Sequence, residues 1–410
     1  MAMANDRGER LNILHVMRAP VGGLFRHVTD LARGQTARGH RVGLIADSST
    51  GGGQAEAMLA ALGRDLSLGV TRVPMSRHLG AADVAAVVHV SRRAAKVAAH
   101  VVHGHGAKGG AYARLASAPA LPASADAKSS RAVRVYTPHG GSLHYRWDTP
   151  AGLLYLGAER ALTSRTDLFL FESAYGRDVF RNKVGEPKAL VQVVHNGVEE
   201  AEFQPVLPTH DATDLLFVGE LRELKGIDVL IAAIRELAGQ GRSVSATIVG
   251  DGPDRAMYEH EVAKQNLEQV HFVGVKPARS AFTLGRLLVV PSRAESLPYV
   301  VLEAAAVGLP MVATAVGGIP EIFGPDSGAL VPPGDPAALA RAITRAMQER
   351  GARHTATLRL KARVRVSFSL DAMTDAIIDA YRAALGIKHN SESMQRFSDK
   401  IIRKREAKAG

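Results

Sequence analysis

Hydrophobic and polar positions follow one another along this chain in blocks that favour strand, then helix, then strand. An apolar run from Leu11 to Met17 precedes a glycine turn at Gly22-Gly23 and a stretch from Leu24 to Arg38 whose apolar residues have helical spacing. A second apolar run covers Arg41 to Ala46. This order is typical of a βαβ unit, whose two strands lie parallel. The chain is therefore expected to open with parallel sheet.

The same alternation continues to the end of the chain and divides it into two halves. Further strands are predicted at residues 100–106, 132–137, 168–171 and 191–194, and then at 214–218, 245–249, 270–273, 287–290 and 311–313. The segment Phe203 to Pro208 separates the two sets and fits an interdomain linker. The predicted fold class is α/β, with two doubly wound parallel-sheet domains at residues 1–202 and 209–366. A helix at 367–385 and a basic tail at 386–410 follow, and a loop rich in Ala, Ser and Pro is expected at 116–131.

Composition supports two ordinary cores and a cytoplasmic location. The chain has 410 residues, 46% of them hydrophobic, which is enough for two domains. No apolar stretch reaches the ~18 to 20 residues of a membrane span, and residues 1–10 lack the apolar core of a signal peptide. The absence of cysteine excludes disulfides, thiolate nucleophiles and cysteine zinc sites, and it fits a reducing compartment.

The net charge of +11 is unevenly distributed. Residues 1–200 carry 25 Lys and Arg against 16 Asp and Glu, and residues 386–410 carry seven against three. A basic first domain with a basic tail suggests an acidic partner such as a lipid diphosphate or an anionic membrane surface. Nucleic acid is not expected, because the basic residues are scattered and no recognition motif accompanies them. Simple solubility is the alternative explanation of the charge.

Two carboxylates stand where a predicted strand leads into a helix. Glu295 and Glu303 are eight positions apart, after the apolar run Leu287 to Val290 and on either side of Pro298. At ~1.5 Å of rise per helical residue, their carboxylates could lie roughly 8 to 12 Å apart, about the span from a hexose to a ribose across a diphosphate. Free N–H groups at the helix start would attract the phosphates. Two solvated glutamates on a helix surface are the alternative.

Further motifs accompany this pair in a particular order. They are Phe217 to Gly226 (strand, glycine turn and Lys-Gly), Val249 to Pro253, Phe272 to Gly274 and Ala315 to Glu321. Together with the two glutamates, they make residues 215–335 resemble glycosyltransferase family four, the large family of retaining enzymes with the GT-B fold. The amino-terminal half resembles it more loosely. The resemblance implies two Rossmann-like domains facing a central cleft, with a final helix that crosses back onto the first domain.

The resemblance also implies roles for residues of the second half. Lys225 would neutralise the departing diphosphate, Glu303 would hold the ribose hydroxyls, and Glu295 would hold hydroxyls of the transferred sugar. The family usually has arginine directly after the first glycine, where this chain has Glu220, so Arg222 is expected to take that role. The remaining donor contacts are expected from Gly250, Gly252, Val273 and Gly274 around the base, and from the backbone of Ser296 and Leu297, because Pro298 has no N–H to donate.

In the first half, Gly22 and Gly23 follow a strand and precede a helix, which suits close approach to a phosphate. A plain tight turn is the alternative. His139 resembles the family's cleft-facing histidine, which would hydrogen-bond the sugar or assist the acceptor hydroxyl. The alternative is a histidine whose ring nitrogens are hydrogen-bonded to backbone groups. His103 and His105 are expected to line the acceptor side of the cleft. They also suggest zinc, but no third ligand stands nearby in the sequence, so no metal is expected.

The predicted function is transfer of a hexose-type sugar, with retention, from a nucleotide diphosphate donor. A UDP-sugar is favoured and a GDP-sugar is the alternative. The acceptor is expected to be a saccharide or lipid-linked saccharide, in exopolysaccharide or surface-glycan synthesis at the inner face of the membrane. Because the chain has no Asp-x-Asp motif, neither a metal nor another cofactor is expected. A sugar-nucleotide epimerase or hydrolase of GT-B form, and a noncatalytic nucleotide-sugar-binding protein, remain alternatives.

Overall fold

The structure, a computed structural model, describes residues 10–76, 80–118 and 131–387. The expected loop at 116–131 and the basic tail at 386–410 fall largely outside these residues. Within them the first sheet has seven parallel strands in the order β3-β2-β1-β4-β5-β6-β7. Its strands are Asn12–Met17 (β1), Arg41–Asp47 (β2), Gly69–Val73 (β3), Val101–His105 (β4), Val133–Thr137 (β5), Leu168–Phe171 (β6) and Leu190–Val193 (β7).

Over the same described ranges, the second sheet has five parallel strands in the order β10-β9-β8-β11-β12. Its strands are Thr213–Val218 (β8), Ala246–Val249 (β9), Val270–Phe272 (β10), Gly285–Val290 (β11) and Met311–Ala313 (β12). The predicted α/β class, with two doubly wound parallel sheets, is confirmed.

Helices connect successive strands and cover the faces of both sheets. In the described residues they are Gly22–Ala37 (α1), Gly52–Asp65 (α2), Ala81–Lys96 (α3), Gly106–Leu115 (α4), Pro150–Leu162 (α5), Ala174–Lys183 (α6), Ile227–Gly239 (α7), Arg255–Lys264 (α8), Ala278–Ala281 (α9), Tyr299–Val307 (α10), Ile319–Phe323 (α11), Pro336–Gln348 (α12), Arg350–Ser367 (α13) and Leu370–Leu385 (α14). Across the described part of the chain, none of these helices has both the length and the apolarity that crossing a bilayer requires.

The central strands form because most of their side chains are apolar on both faces. Every residue of β1 is buried, as is typical of a parallel sheet covered on both sides. Leu14 and Val16 join one core, while Leu11 and Ile13 join the core on the opposite face, as the alternation of side chains along a strand requires.

Helix α14 returns from the second domain and packs on the first sheet. Its side chains Met373, Ile377 and Tyr381 are buried in the same core as Leu11 and Ile13. The helix begins at Ser369, whose side chain accepts a hydrogen bond from the backbone N–H of Ala372. The two domains are therefore tied together by this helix as well as by the linker.

The order of strands fixes where a ligand can bind. In each sheet the order reverses at one point, between β1 and β4 in the first and between β8 and β11 in the second. Open α/β sheets bind ligands beyond the carboxyl ends of the strands at such a reversal. These strand ends carry the Gly22-Gly23 turn and His105 in the first domain, and Gly219 and the segment leading to Glu295 in the second.

Candidate active site

A cleft of about 1370 Å³, counted to its open mouth, lies between the two domains. It is lined by residues that follow the carboxyl ends of strands in both sheets. From the first domain these include Gly22, Gly23, Arg26, His139 and Glu172, and from the second Gly219, Arg222, Lys225, Glu295, Ser296, Leu297 and Glu303. The structure thus brings nine of the predicted catalytic or donor residues, from both halves of the chain, to one cavity.

Lys225 and Glu295 form an ion pair on the wall of this cleft. The Lys225 ammonium donates to Glu295 Oε1 at 2.6 Å, and the hydroxyl of Ser292 donates to the same oxygen at 2.7 Å. Lys225 ends a single 3-10 turn, and Gly226 follows it with φ 69°. A Cβ on Gly226 would lie 2.1 Å from the carbonyl oxygen of Pro291, so only glycine allows this close approach. The backbone that follows Lys225 is therefore fixed against the segment that leads to Glu295.

The backbone that carries Glu295 rests on a second glycine turn. The N–H of Gly318 donates to the carbonyl of Ser296 at 2.6 Å. Gly317 has φ 59°, and a Cβ there would lie 2.0 Å from the carbonyl oxygen of Glu295. The position of Glu295 thus depends on a residue 22 places further along the chain.

Arg26, the fifth residue of α1, contacts Glu303 across the cleft. Arg26 donates to Glu303, to both carboxylate oxygens of Glu202 at 2.6 and 2.7 Å, and to Asp30 at 3.2 Å. Its guanidinium also lies over the ring of Tyr299, 4.6 Å from the centroid. A ligand hydroxyl that donates to Glu303 Oε1 must therefore displace Arg26 from that oxygen. The first domain consequently contributes a residue directly to the predicted donor site.

His139 lies against the same cleft, but both of its ring nitrogens have partners. Nδ1 is 2.7 Å from Glu172 Oε1, and Nε2 is 3.0 Å from His105 Nδ1. The second oxygen of Glu172 accepts from the hydroxyl of Ser296 at 3.0 Å. Burial alone would raise the pKa of Glu172, yet His139 and these hydrogen bonds lower it to about 2. A hydrogen bond from His139 to a sugar would have to replace the one with His105.

The expected place of His103 and His105 is wrong: neither lines the cleft, and both are buried behind its wall. His103 is bonded to Tyr381 of α14 at 2.6 Å and to Thr137 at 2.8 Å. His105 lies between His139 and His15. Helix α14 covers the face of β4 on which these side chains stand, which the sequence spacing of the two histidines could not reveal.

In the part of the chain that the structure describes, two groups of three histidines lie close enough to share a metal ion. They are His15 with His103 and His105, and His27 with His105 and His139, whose ring nitrogens lie within 4.8 Å of one another. The sequence offered no third ligand because these residues come from different elements. The nitrogens between His15, His105 and His139 are at hydrogen-bond distance, 2.9 and 3.0 Å, which is the arrangement of rings that share protons.

The structure treats the last predicted residues differently: Arg222 lines the cleft, whereas Gly250, Gly252, Val273 and Gly274 do not line it as expected. Arg222 lines it, with its side chain half exposed and 3.4 Å from the Glu220 carboxylate. Gly250, Gly252, Val273 and Gly274 form neighbouring turns outside the lining of the cleft, where the N–H of Gly250 donates to the carbonyl of Gly274 at 2.9 Å. A Cβ on Gly250 would lie 1.8 Å from the carbonyl oxygen of Gly219, so these turns support the strand end that does line it.

Sequence reasoning missed Arg26 and Glu172. Glu172 had a usable signal, since a carboxylate directly after the apolar strand Leu168–Phe171 belongs at the carboxyl edge of the sheet. Arg26 had none, because its partners Glu202 and Glu303 are distant in the chain.

Comparison with known proteins agrees with this geometry. Residues 21–202 match the model of Glycosyltransferase Family 4, and residues 212–349 match that of Glycosyl transferases group 1. The chain belongs to these glycosyltransferases. The predicted family is thereby confirmed, and the two matches divide the chain as its two sheets do.

Curated relatives align over part of their length. The chain is 33% identical over 199 residues to the amylovoran biosynthesis glycosyltransferase AmsK of Erwinia amylovora, covering 45% of this chain and 49% of AmsK. It is 29% identical over 187 residues to the alpha-D-kanosaminyltransferase of Streptomyces kanamyceticus, covering 44% of this chain and 48% of that enzyme. The chain thus spans about half the length of these relatives.

Solved structures extend the likeness in fold to nearly the whole chain. Sucrose-phosphate synthase from Thermosynechococcus elongatus superposes with a TM-score of 0.74 at 21% identity, covering 92% of this chain and all of that one. Anabaena Alr3699/HepE, solved in complex with UDP and glucose, superposes with a TM-score of 0.73 at 19% identity, covering 91% and 100%. The GT-B fold predicted from the sequence is confirmed.

Proposed function

We propose that this protein transfers a hexose-type sugar, with retention, from a nucleotide diphosphate sugar to a saccharide or lipid-linked saccharide acceptor in exopolysaccharide or surface-glycan synthesis. The observation that carries the proposal is the meeting of Lys225, Glu295 and Glu303 in one cleft. A UDP-sugar is the favoured donor, because the solved neighbour HepE binds UDP and glucose. AmsK, named for amylovoran biosynthesis, supports the polysaccharide assignment.

The diphosphate of the donor fits the middle of the cleft. The amino termini of helices α1 and α10 both open onto it, at Gly22 and Tyr299, and free N–H groups there favour an anion. Lys225 adds a fixed positive charge without a metal. The nucleotide ribose would then reach Glu303 after displacing Arg26.

The state of Glu295 favours retention by attack on the leaving-group face over retention through a covalent intermediate. Its carboxylate accepts from Lys225 and Ser292 on one oxygen, which lowers its reactivity as a nucleophile. Attack by the acceptor on the face from which the diphosphate leaves, with a phosphate oxygen taking the acceptor proton, requires no protein nucleophile. The same engagement of Glu295 weighs against the epimerase or hydrolase, which would use the two glutamates as acid and base.

A second pocket of about 880 Å³ adjoins the cleft and suits the acceptor. It shares His139, Glu172 and Glu295 with the cleft, so a hydroxyl bound there would approach the transferred sugar. Its other walls are partly apolar and aromatic, with Phe171 and Tyr175. A saccharide attached to a lipid fits such a wall.

Beside this pocket the first domain exposes an apolar surface. Leu153 and Leu154 on α5 are 59% and 53% exposed, and Tyr145 and Trp147 just before the helix are 39% and 38% exposed. Lys183, which lines the pocket, donates to the carbonyls of Leu143 and Tyr145. Aromatic and basic residues next to exposed leucines favour the interface of an anionic membrane. A lipid-linked acceptor would then enter the pocket from the inner membrane face.

A ligand panel and a product analysis test the proposed activity. Thermal unfolding is measured with UDP-, GDP- and ADP-sugars, and a UDP-sugar is expected to raise the midpoint by mass action. The shifting donor is then incubated with a lipid-linked saccharide, and the anomeric configuration of the product is read by NMR. The product is expected to keep the anomeric configuration of the donor, and EDTA is expected to leave the rate of transfer unchanged. Conversion of the donor alone to an epimer or to free sugar would favour the hydrolase or epimerase, and binding without product would favour the noncatalytic alternative.

Vesicle sedimentation tests the membrane surface. Wild-type protein is expected to bind vesicles with anionic lipid at low salt, and Leu153→Glu with Leu154→Glu is expected to abolish binding. Leu358→Glu, at a residue 52% exposed on α13, is the matched control and should bind as wild type does. Equal binding by the double variant would show that this surface does not meet the membrane.

A further inference from the structure

A chain of hydrogen bonds runs from the cleft wall into the interior of the first domain. It begins at Glu172 Oε1, 2.7 Å from His139 Nδ1, and continues from His139 Nε2 to His105 Nδ1 at 3.0 Å. His105 Nε2 is 2.9 Å from His15 Nδ1, and His15 Nε2 is 2.9 Å from the side-chain carbonyl of Gln35. Three imidazoles therefore stand in line between two oxygens.

The hydrogen bonds of this chain need one proton more than three neutral imidazoles supply. Both terminal groups, an ionised carboxylate and an amide oxygen, can only accept hydrogen bonds. Four hydrogen bonds then need four N–H protons, whereas three neutral imidazoles supply three. The arrangement as it stands holds one proton more than three neutral rings.

The position of this proton follows from charge and burial. Burial lowers the pKa of His15 to about 4 and holds that of His105 well below its usual range, so both rings stay neutral. His139 is the ring in contact with a carboxylate, whose charge offsets a cation. With His139 doubly protonated, His105 and His15 each carry their proton on Nε2, and every bond in the chain has one donor.

We propose that Gln35 keeps His139 as an imidazolium paired with Glu172, acting through His15 and His105. The side-chain carbonyl of Gln35 requires an N–H on His15 Nε2, which makes Nδ1 of that ring an acceptor. His105 must then donate from Nε2 to His15 and accept at Nδ1 from His139. His139 must therefore donate from both nitrogens, to His105 and to Glu172. Gln35 and His15 are positioning residues, since neither reaches the cleft.

The second neighbour of Gln35 is compatible with this orientation, because a tyrosine hydroxyl can accept from the amide nitrogen. Its amide nitrogen lies 3.5 Å from the hydroxyl of Tyr381, and that hydroxyl lies 2.6 Å from His103 Nδ1. Tyr381 accepts from Gln35 and donates to His103, which then donates from Nε2 to Thr137. With the amide reversed, Gln35 would donate to His15, and all three rings of the chain would be neutral with protons on Nδ1.

Several other titratable groups surround His139 and could affect its charge. They are Glu172 on the strand end of β6, His105 on β4, His27 on α1, and, further away, His15, His103 and Tyr299. His27 stays neutral because burial lowers its pKa to about 3, and its Nδ1 is bonded to Asn196. Among these groups Glu172 supplies the negative charge next to His139.

The consequence for sugar transfer rests on the proposed function. An imidazolium at this position compensates the charge of Glu172, which lies in the wall of a cleft that must accept a diphosphate. Loss of the proton would leave a buried carboxylate facing an anionic donor. Donor binding would weaken more than turnover.

Histidine NMR tests the protonation state without reference to activity. Protein labelled with ¹⁵N-histidine is studied by long-range ¹H–¹⁵N correlation, and signals are assigned with single His→Gln variants. His139 is expected to be doubly protonated at neutral pH, with His105 and His15 protonated on Nε2. Three neutral rings protonated on Nδ1 would overturn the proposal, as would one equivalent of bound zinc, because a metal would replace the shared protons.

Two substitutions at Gln35 provide the matched pair. Gln35→Leu removes the acceptor at nearly constant volume, so His139 is expected to become neutral and His105 and His15 to move their protons to Nδ1. Gln35→Glu keeps an acceptor oxygen and should keep one proton more than three neutral rings hold, shared between His139 and His15 because each ring would then contact a carboxylate. The donor KM is expected to rise about ten-fold in Gln35→Leu and to change less than about three-fold in Gln35→Glu. If folded Gln35→Leu kept a doubly protonated His139, the proposal would be wrong, whether or not sugar transfer is the activity.

Discussion

Replacing Lys225 with methionine removes one charge from the cleft and little volume. The Lys225 side chain is 26% exposed and that of its partner Glu295 9%, so the pair is only partly screened by solvent. At an effective dielectric of about 20, a unit charge 4 Å away contributes about 4 kcal/mol. Glu295 already neutralises part of that charge in the resting enzyme, so about 3 kcal/mol of transition-state stabilisation is expected to be lost. This corresponds to a fall of about 10² to 10³ in kcat/KM.

The assay is initial-rate transfer from the donor identified by thermal shift, with Lys264→Met as control, since Lys264 is exposed on α8 away from the cleft. A second comparison separates two roles of Lys225. If it acts only by neutralising Glu295, Lys225→Met with Glu295→Gln would bind UDP as wild type does, because UDP lacks the transferred sugar. If it acts on the diphosphate, UDP binding stays weak in the double variant. Turnover by Lys225→Met within about three-fold of wild type would refute the reasoning.

Three further predictions concern support, folding and pH. Gly317→Ala should lower kcat/KM at least ten-fold by pressing on the carbonyl of Glu295, whereas Gly328→Ala, at an open position, should be neutral; equal activities would contradict the supporting role. Glu159→Gln should cost about 3 to 5 kcal/mol in urea unfolding, because it leaves Arg114 buried without its charge partner at 2.8 Å, while Asp148→Asn in an exposed pair should leave the urea midpoint unchanged. Because the pKa values of His15 and His27 are lowered to about 4 and about 3 by burial, the unfolded chain binds protons first, so stability is lost as pH falls below about 6.5. Each of these histidines should contribute about 1.4 kcal/mol per pH unit, and equal urea midpoints at pH 7 and pH 5 would contradict this.

The fold was predictable because its strands are continuous apolar runs. β1, β6 and β9 are mostly apolar and buried on both faces, so their sequences differ sharply from those of the helices between them. β3, at residues Gly69–Val73, was not predicted, because it is an edge strand whose first four residues are only partly buried. Its sequence therefore lacks the continuous hydrophobic signal of the central strands.

The second domain's share of the site was predictable because short motifs carry it. Lys225, Glu295 and Glu303 each lie within a few residues of a glycine turn or helix start that fixes their position. The first domain's share of the site was not predictable. Arg26 contacts Glu303 only because the two domains pack together, and Glu172 contacts His139 only because β5 and β6 pair. Alternation along β4 indicated that His103 and His105 share one face of the sheet, but only the return of α14 decides that this face is buried.

A crystal structure with an intact UDP-sugar tests the central claim most directly. The diphosphate is expected between the Gly22-Gly23 turn and Lys225, with the ribose on Glu303 and Arg26 displaced from that carboxylate. Nucleotide density elsewhere, with the contact between Arg26 and Glu303 still in place, would contradict the account.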